Sequence, residues 1–209
     1  MAPPPESRTH GRRRRLVAGV DLMVVAGQLG RRPHPMSRVV RRCPYGYPAV
    51  VETLPYDAAG LPFPTLFYTT CPSLVAAIGA LESAGGVRRF AARLEVEADL
   101  RRSLATAVRY VRRRRQALVA ADGLPWRDGG SSLRTGIGGV ADAGTVKCLH
   151  AHAALALARS GYRLGEEVLA EAGEIWCGDR RCARWLVRMR PVGRLGGTGE
   201  RWTDPIRPS

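Results

Sequence analysis

The feature that most constrains this chain is a pair of β-branched runs, Ser37-Arg-Val-Val-Arg-Arg-Cys43 and Ala49-Val-Val-Glu-Thr53, separated by Pro44-Tyr-Gly-Tyr-Pro48. Valine and threonine suit a pleated, half-buried surface, and so short a proline- and glycine-bearing connection returns the second run antiparallel to the first. Gly46 offers a positive φ at the turn. Thr65-Leu-Phe-Tyr-Thr-Thr70 is a third strand candidate and the most apolar, which predicts a central place in the sheet. It runs into Cys71-Pro72, with Ser73 as the expected N-cap of a helix over 74–83 that Gly85-Gly86 ends.

The remaining periodicity is helical. Leu16–Leu29 reads as a short helix whose Val20, Met23, Val24 and Gly27 share a spacing suited to docking on the core. Residues 87–121 carry Leu100, Leu104, Val108, Val111 and Leu118 as an apolar stripe, with a break expected near Glu95–Glu97. Helices are also expected over 145–160 and 164–172. Strands early and helices late predict an α+β fold, in which a small antiparallel sheet from the N-terminal half packs with several α-helices from the C-terminal half. The expected organisation is a disordered basic N-terminus over 1–14, a single domain over 15–177, and an arginine-rich, poorly ordered tail over 178–209.

Charge separates these regions. The formal net charge is +15, but residues 1–42 hold +8 of it, residues 178–209 hold +5, and the middle only +2. The expected core is therefore close to neutral, which argues against a basic nucleic-acid-reading domain. The ends could still bind nucleic acid or another anionic partner non-specifically. Arg12–Arg15 followed by the apolar run 16–26 imitates a secretory signal, but Asp21 interrupts that run. No other run approaches the length of a membrane span. Five cysteines, odd in number and widely spaced, point to a reduced cytoplasmic protein and away from a disulfide scaffold.

One segment concentrates reactive side chains. Gly136-Ile-Gly-Gly-Val-Ala-Asp-Ala-Gly-Thr-Val-Lys-Cys-Leu-His-Ala-His152 joins a glycine-rich loop to a helix start and contains Lys147, the sole lysine. Glycine-loop amides, a helix N-terminus and a lysine supply the physics of an anion site, so Gly136, Gly138, Gly139 and Lys147 are anion-binding candidates. The order of residues matches neither a Walker loop nor a dinucleotide fingerprint. Cys43 precedes Pro44 at the hairpin turn, Cys71 precedes Pro72 at a strand-to-helix turn, and Cys148 falls in the first turn of the late helix. Thiols at helix starts are favoured as thiolates, the form that binds metal or attacks an electrophile. His152 shares a helical face with Cys148, whereas His150 is rotated by about 200° unless the segment begins as a turn. Cys43, Cys71 and Cys148 with a histidine would make a reasonable zinc or iron–sulfur shell. Burial of the thiols as small hydrophobes is the alternative. Cys177 and Cys182, beside Trp176 and in the arginine-rich tail, are weaker candidates.

Four ordered motifs carry a resemblance: Asp21-Leu-Met-Val-Val-Ala-Gly-Gln-Leu-Gly-Arg31, Arg42-Cys-Pro-Tyr-Gly-Tyr-Pro48, Pro62-Phe-Pro-Thr-Leu-Phe-Tyr-Thr-Thr-Cys-Pro72 and Val146-Lys-Cys-Leu-His150. Over about residues 20–175 the chain resembles the bacterial, mainly actinobacterial, family filed as domain of unknown function 501. The resemblance implies a cytoplasmic protein of unassigned activity. It also implies a gene neighbourhood of enolase, a septum-formation protein and an exopolyphosphatase, hinting at cell division or polyphosphate metabolism. Cysteine at positions 43, 71 and 148 and histidine at position 150 fit the family pattern. The metal candidates it favours are therefore Cys43, Cys71, Cys148 and His150. Three functional classes follow: a protein with a Cys/His metal or thiol site, a non-catalytic interaction protein acting through its arginine-rich ends, or an enzyme on a phosphorylated or acyl substrate with Lys147 and the glycine loop as anion clamp.

Overall fold

The computed structural model describes residues 19–123 and 126–187. The expected hairpin forms as β1 (Met36–Arg42) and β2 (Pro48–Thr53), which pair antiparallel with Val39 opposite Val51. Its turn is closed by Cys43 N–H to Tyr47 O and by Gly46 N–H to Cys43 O, each at 2.9 Å, with Gly46 at φ +83°. β3 (Phe67–Thr69) pairs antiparallel with β2, placing Val51 opposite Tyr68. The sheet order is β1-β2-β3, so the expectation of a central third strand is corrected: β3 is an edge and β2 is central. All six residues of β2 are buried, Glu52 included. β3 owes its apolar composition to helix packing, since Phe67 stacks on Tyr110 at 6.3 Å. The ladder ends where both Thr70 and Cys71 donate their amides to Ala49 O and the chain turns into a helix.

That helix, α2 (Pro72–Ser83), starts two residues earlier than expected, with Cys71 and not Ser73 as its N-cap. Pro72 explains the shift: its fixed φ suits the first helical position, where its missing N–H costs nothing. Gly85 (φ +82°) turns the chain into α3 (Gly86–Val96), and α4 (Ala98–Asp122) follows after an extended Glu97. The break falls inside the window that the sequence indicates. Between α4 and the next helix, 3-10 turns occupy Ser131–Arg134 and Ile137–Gly139. α5 (Leu149–Ala158) is the central helix, with seven of its ten residues buried. It packs on α2, on the sheet and on α6 (Arg163–Ala172). Close approach of α5 and α6 needs a missing side chain, because a Cβ at Gly165 would overlap the carbonyl of His152. The core they share includes Leu74, Ile78, Phe90, Leu100, Leu155 and Leu164.

α1 (Gly19–Leu29) docks through Val24, Val25 and Ala26, while Val20 and Met23 are about half exposed. The docking face is thus rotated from the one expected. Gly27 lies against the indole of Trp185 in α7 (Ala183–Val187), which fixes that rotation. α7 belongs to the segment assigned from sequence to the tail. The expectations for residues 1–14 and for 188–209 fall outside the described residues. Among those described, no helix is long and apolar enough to cross a membrane.

Candidate functional site

The start of α5 gathers the chemistry. Cys148 is the N-cap, with extended backbone at φ −145° and ψ 116°, so it stands outside the helix. An extended residue before the first turn swings its side chain off the helical face, and this decides between the two histidines. Cys148 Sγ lies 3.8 Å from Nδ1 of His150. His152, the partner that a regular helix would have supplied, points into the core with no exposed surface. Its Nδ1 lies 2.5 Å from the Tyr162 hydroxyl, and burial pushes its pKa down to about 4, so it is neutral at physiological pH.

Glu82, from the last turn of α2, completes the group. Its Oε1 lies 3.3 Å from His150 Nδ1 and accepts the amide of Leu149 at 2.5 Å, one of the unpaired donors at the start of α5. One ligand atom each of Glu82, Cys148 and His150 lies within 4.8 Å of the others, and all three residues are half-buried. The other ring nitrogen, Nε2, donates to Val75 O at 3.1 Å. That bond fixes the ring and leaves Nδ1 facing both the thiol and the carboxylate. The Cys148 thiol, helped by Val75 O and Glu82 against the opposing effect of burial, pushes the His150 pKa up to about 9. Glu82 carries no sequence signature, since Leu-Glu-Ser at a helix end reads as an ordinary solvated acid. Only the packing of α2 on α5 reveals it.

The four expected ligands do not assemble as one set. Cys148 and His150 come together, but Cys71 caps the opposite end of α2 from Glu82, a rise of about 16 Å between their backbones. Cys43 and Cys71 are both buried in the core around the hairpin turn.

The glycine loop turns inward. Its carbonyls, with those of neighbouring segments, receive Arg115, which is only 1% exposed. Arg115 donates to Thr135 O at 2.9 Å, Gly136 O at 3.1 Å and Pro64 O. Burial lowers its pKa to about 10, so it is a charged group held by carbonyl dipoles. Gly138 and Gly139 have φ of +73° and +79°, and a Cβ on Gly139 would overlap Pro64. The amides of Gly136 and Gly139 bond within the segment, to Val140 O and Gly136 O. These glycines are thus accounted for by a tight loop seated on Pro64, α4 and α5. Lys147 is exposed.

Glu52 was missed by sequence reasoning. Arg114 grips this fully buried carboxylate through two bonds of 2.7 and 2.8 Å, and Arg38 adds one of 3.0 Å. Burial alone would raise its pKa, but the two guanidinium groups outweigh that and hold it below the usual range. A glutamate that follows two valines in a strand is the available signal, and its partners, Arg114 in the middle of α4 and Arg38 on β1, are unreadable from spacing.

Residues 39–170 fit the family described as protein of unknown function (DUF501), and the chain belongs to that family. The matched span contains Glu82, Cys148 and His150. No curated protein and no solved structure matches the chain.

Proposed function

We propose that this member of the DUF501 family binds a divalent transition metal, zinc by preference, through Glu82, Cys148 and His150. The observation that carries this reading is convergence on a single ring nitrogen. In a thiol–imidazole–carboxylate relay, the thiol and the acid would face opposite nitrogens of the ring. Here both face Nδ1, while Nε2 is committed to Val75 O. A backbone carbonyl on the far nitrogen is the usual way to orient a ligating histidine. Sulfur, nitrogen and oxygen donors from three residues fit zinc and leave a fourth position for water or a substrate atom. Exposed Lys147, next to Cys148 in the chain, favours an anionic group there. Five unpaired cysteines fit a reducing cytoplasm.

Zinc binding to the purified chain tests the reading, followed by competition with a chromophoric chelator. Glu82→Gln, Cys148→Ser and His150→Ala should each weaken one zinc equivalent by at least about tenfold. Cobalt substitution should give a thiolate charge-transfer band that Cys148→Ser abolishes. Unchanged affinity in all three folded variants would refute the site and leave Glu82 as a structural cap of α5.

A further inference from the structure

The cysteines that the Glu82 site leaves out have their own meeting place. Cys43 closes the hairpin turn by donating its amide to Tyr47 O. Cys71 is tied to the next residue but one, its amide reaching Ala49 O at 3.4 Å. Between them, Pro48 O accepts Gln28 Nε2 at 2.8 Å, and the same nitrogen donates to Cys182 Sγ at 3.3 Å. Tyr47, Pro48 and Ala49 thus hold three thiol-bearing segments around one short stretch of backbone. The segment 177–182 is pinned there again by Arg180 over the Tyr45 ring at 5.1 Å, and Trp185, three residues on, packs against Gly27. Arg180 has φ +49°, the sole positive φ at a non-glycine among the described residues. A residue held in that region marks a turn that its surroundings enforce. The loop from Cys177 to Cys182 is therefore wound tightly, with a thiol at each end.

The thiols sense one another. Cys71 lies within electrostatic range of Cys43 and Cys177. Cys182 lies within the same range of Cys71, Cys43 and Cys177, with the Gln28 amide on its sulfur. Donors are already aimed at the sulfurs: the backbone amides of Ser73 and Leu74 at Cys71, Gln28 at Cys182, and Arg181 at Cys177. All of these cysteines are unpaired. Three are buried and Cys177 is half-buried. Four thiols gathered around one short stretch of backbone, three of them with an N–H donor aimed at the sulfur, have a shared physical use, which is to ligate a cation as thiolates.

We propose that Cys43, Cys71, Cys177 and Cys182 form a four-thiolate metal centre that clamps α7 and the hairpin together, separate from the Glu82 site. Spacing favours a cluster over a single ion. Four sulfurs around one zinc stand about 3.8 Å apart. No three of these thiols lie within 4.8 Å of one another. An iron–sulfur cluster spreads its thiolates over different irons and accepts the wider spacing.

The test is metal and acid-labile sulfide analysis of the full chain, purified anaerobically and, in parallel, reconstituted with ferrous iron and sulfide or with zinc. Stoichiometric iron with sulfide is expected. One zinc bound without labile sulfide would overturn the cluster. Cys177→Ser, at the least buried position, should lower the iron content by about tenfold while far-UV circular dichroism stays unchanged, and Cys182→Ser should do the same. Cys148→Ser and His150→Ala should leave it intact, which keeps this centre distinguishable from the Glu82 site. Unchanged metal content in Cys177→Ser would overturn the proposal. So would absence of both metals after reconstitution, or differential alkylation showing the four cysteines paired as disulfides under reducing cytosolic potentials.

Discussion

Glu52→Gln is the perturbation whose size the structure states most directly. The carboxylate is fully buried on the central strand and accepts a two-pronged grip from Arg114 and a bond from Arg38. Glutamine keeps the volume but removes the charge and replaces one acceptor oxygen with a donor that faces guanidinium groups. Breaking a fully buried ion pair costs about 3–5 kcal/mol. Arg114 and Arg38 retain 33% and 55% side-chain exposure, so water can recover part of their charge. The expected loss is accordingly about 2–3 kcal/mol, or a melting temperature lower by roughly 4–12 °C for a domain of this size. The pH dependence carries the sharper information. The folded-state pKa of Glu52 lies below its unfolded value of 4.5, so its stabilisation is present above 4.5 and is lost as pH falls through the folded value. The gap between wild type and Glu52→Gln should therefore narrow in urea titrations taken from pH 7 to below pH 4. A gap under about 0.5 kcal/mol at pH 7, or one that does not narrow in acid, would refute the reasoning.

Other outcomes follow from single contacts. A Cβ on Gly27 would overlap three atoms of the Trp185 indole. Gly27→Ala should then release α7, seen as early proteolysis near residue 183 with the rest of the domain resistant, and with loss of the metal that needs Cys182. Gly139→Ala combines a φ of +79° with overlap of Pro64 and should cost about 2–3 kcal/mol in chemical denaturation without altering zinc affinity. Tyr162→Phe removes the hydroxyl from His152 Nδ1 and leaves a buried nitrogen unpaired, for an expected loss of about 1–2 kcal/mol by the same measurement. Zinc must displace the proton that His150 holds up to a pKa of about 9. Affinity at the Glu82 site should thus rise by at least about tenfold per pH unit from 7 towards 9, with proton release detected in calorimetry across buffers of different ionisation enthalpy.

The sequence by itself determined the elements. β-branched runs around Gly46 dictate the hairpin, the 3.6-residue stripe through Leu100, Leu104, Val108 and Val111 dictates α4, and Gly85-Gly86 and Gly161 mark helix ends, because these are local preferences of backbone and side chain. It also marked Cys148 and His150, as a thiol and an imidazole two residues apart at a helix start. Tertiary structure decided the rest. Which strand lies in the middle depends on what packs against it, so the apolar β3 became an edge and the glutamate-bearing β2 the centre. Glu82 and Glu52 look alike in sequence as single acids. One is carried to Cys148 and His150 by the crossing of α2 and α5, the other to Arg114 by a helix packed on the sheet. Cys177 and Cys182 drew little weight from composition, because arginine, glycine and tryptophan around them resemble a solvated tail. Docking of α7 on Gly27 places them beside Cys43 and Cys71, more than a hundred residues earlier, and no spacing rule reaches across that distance.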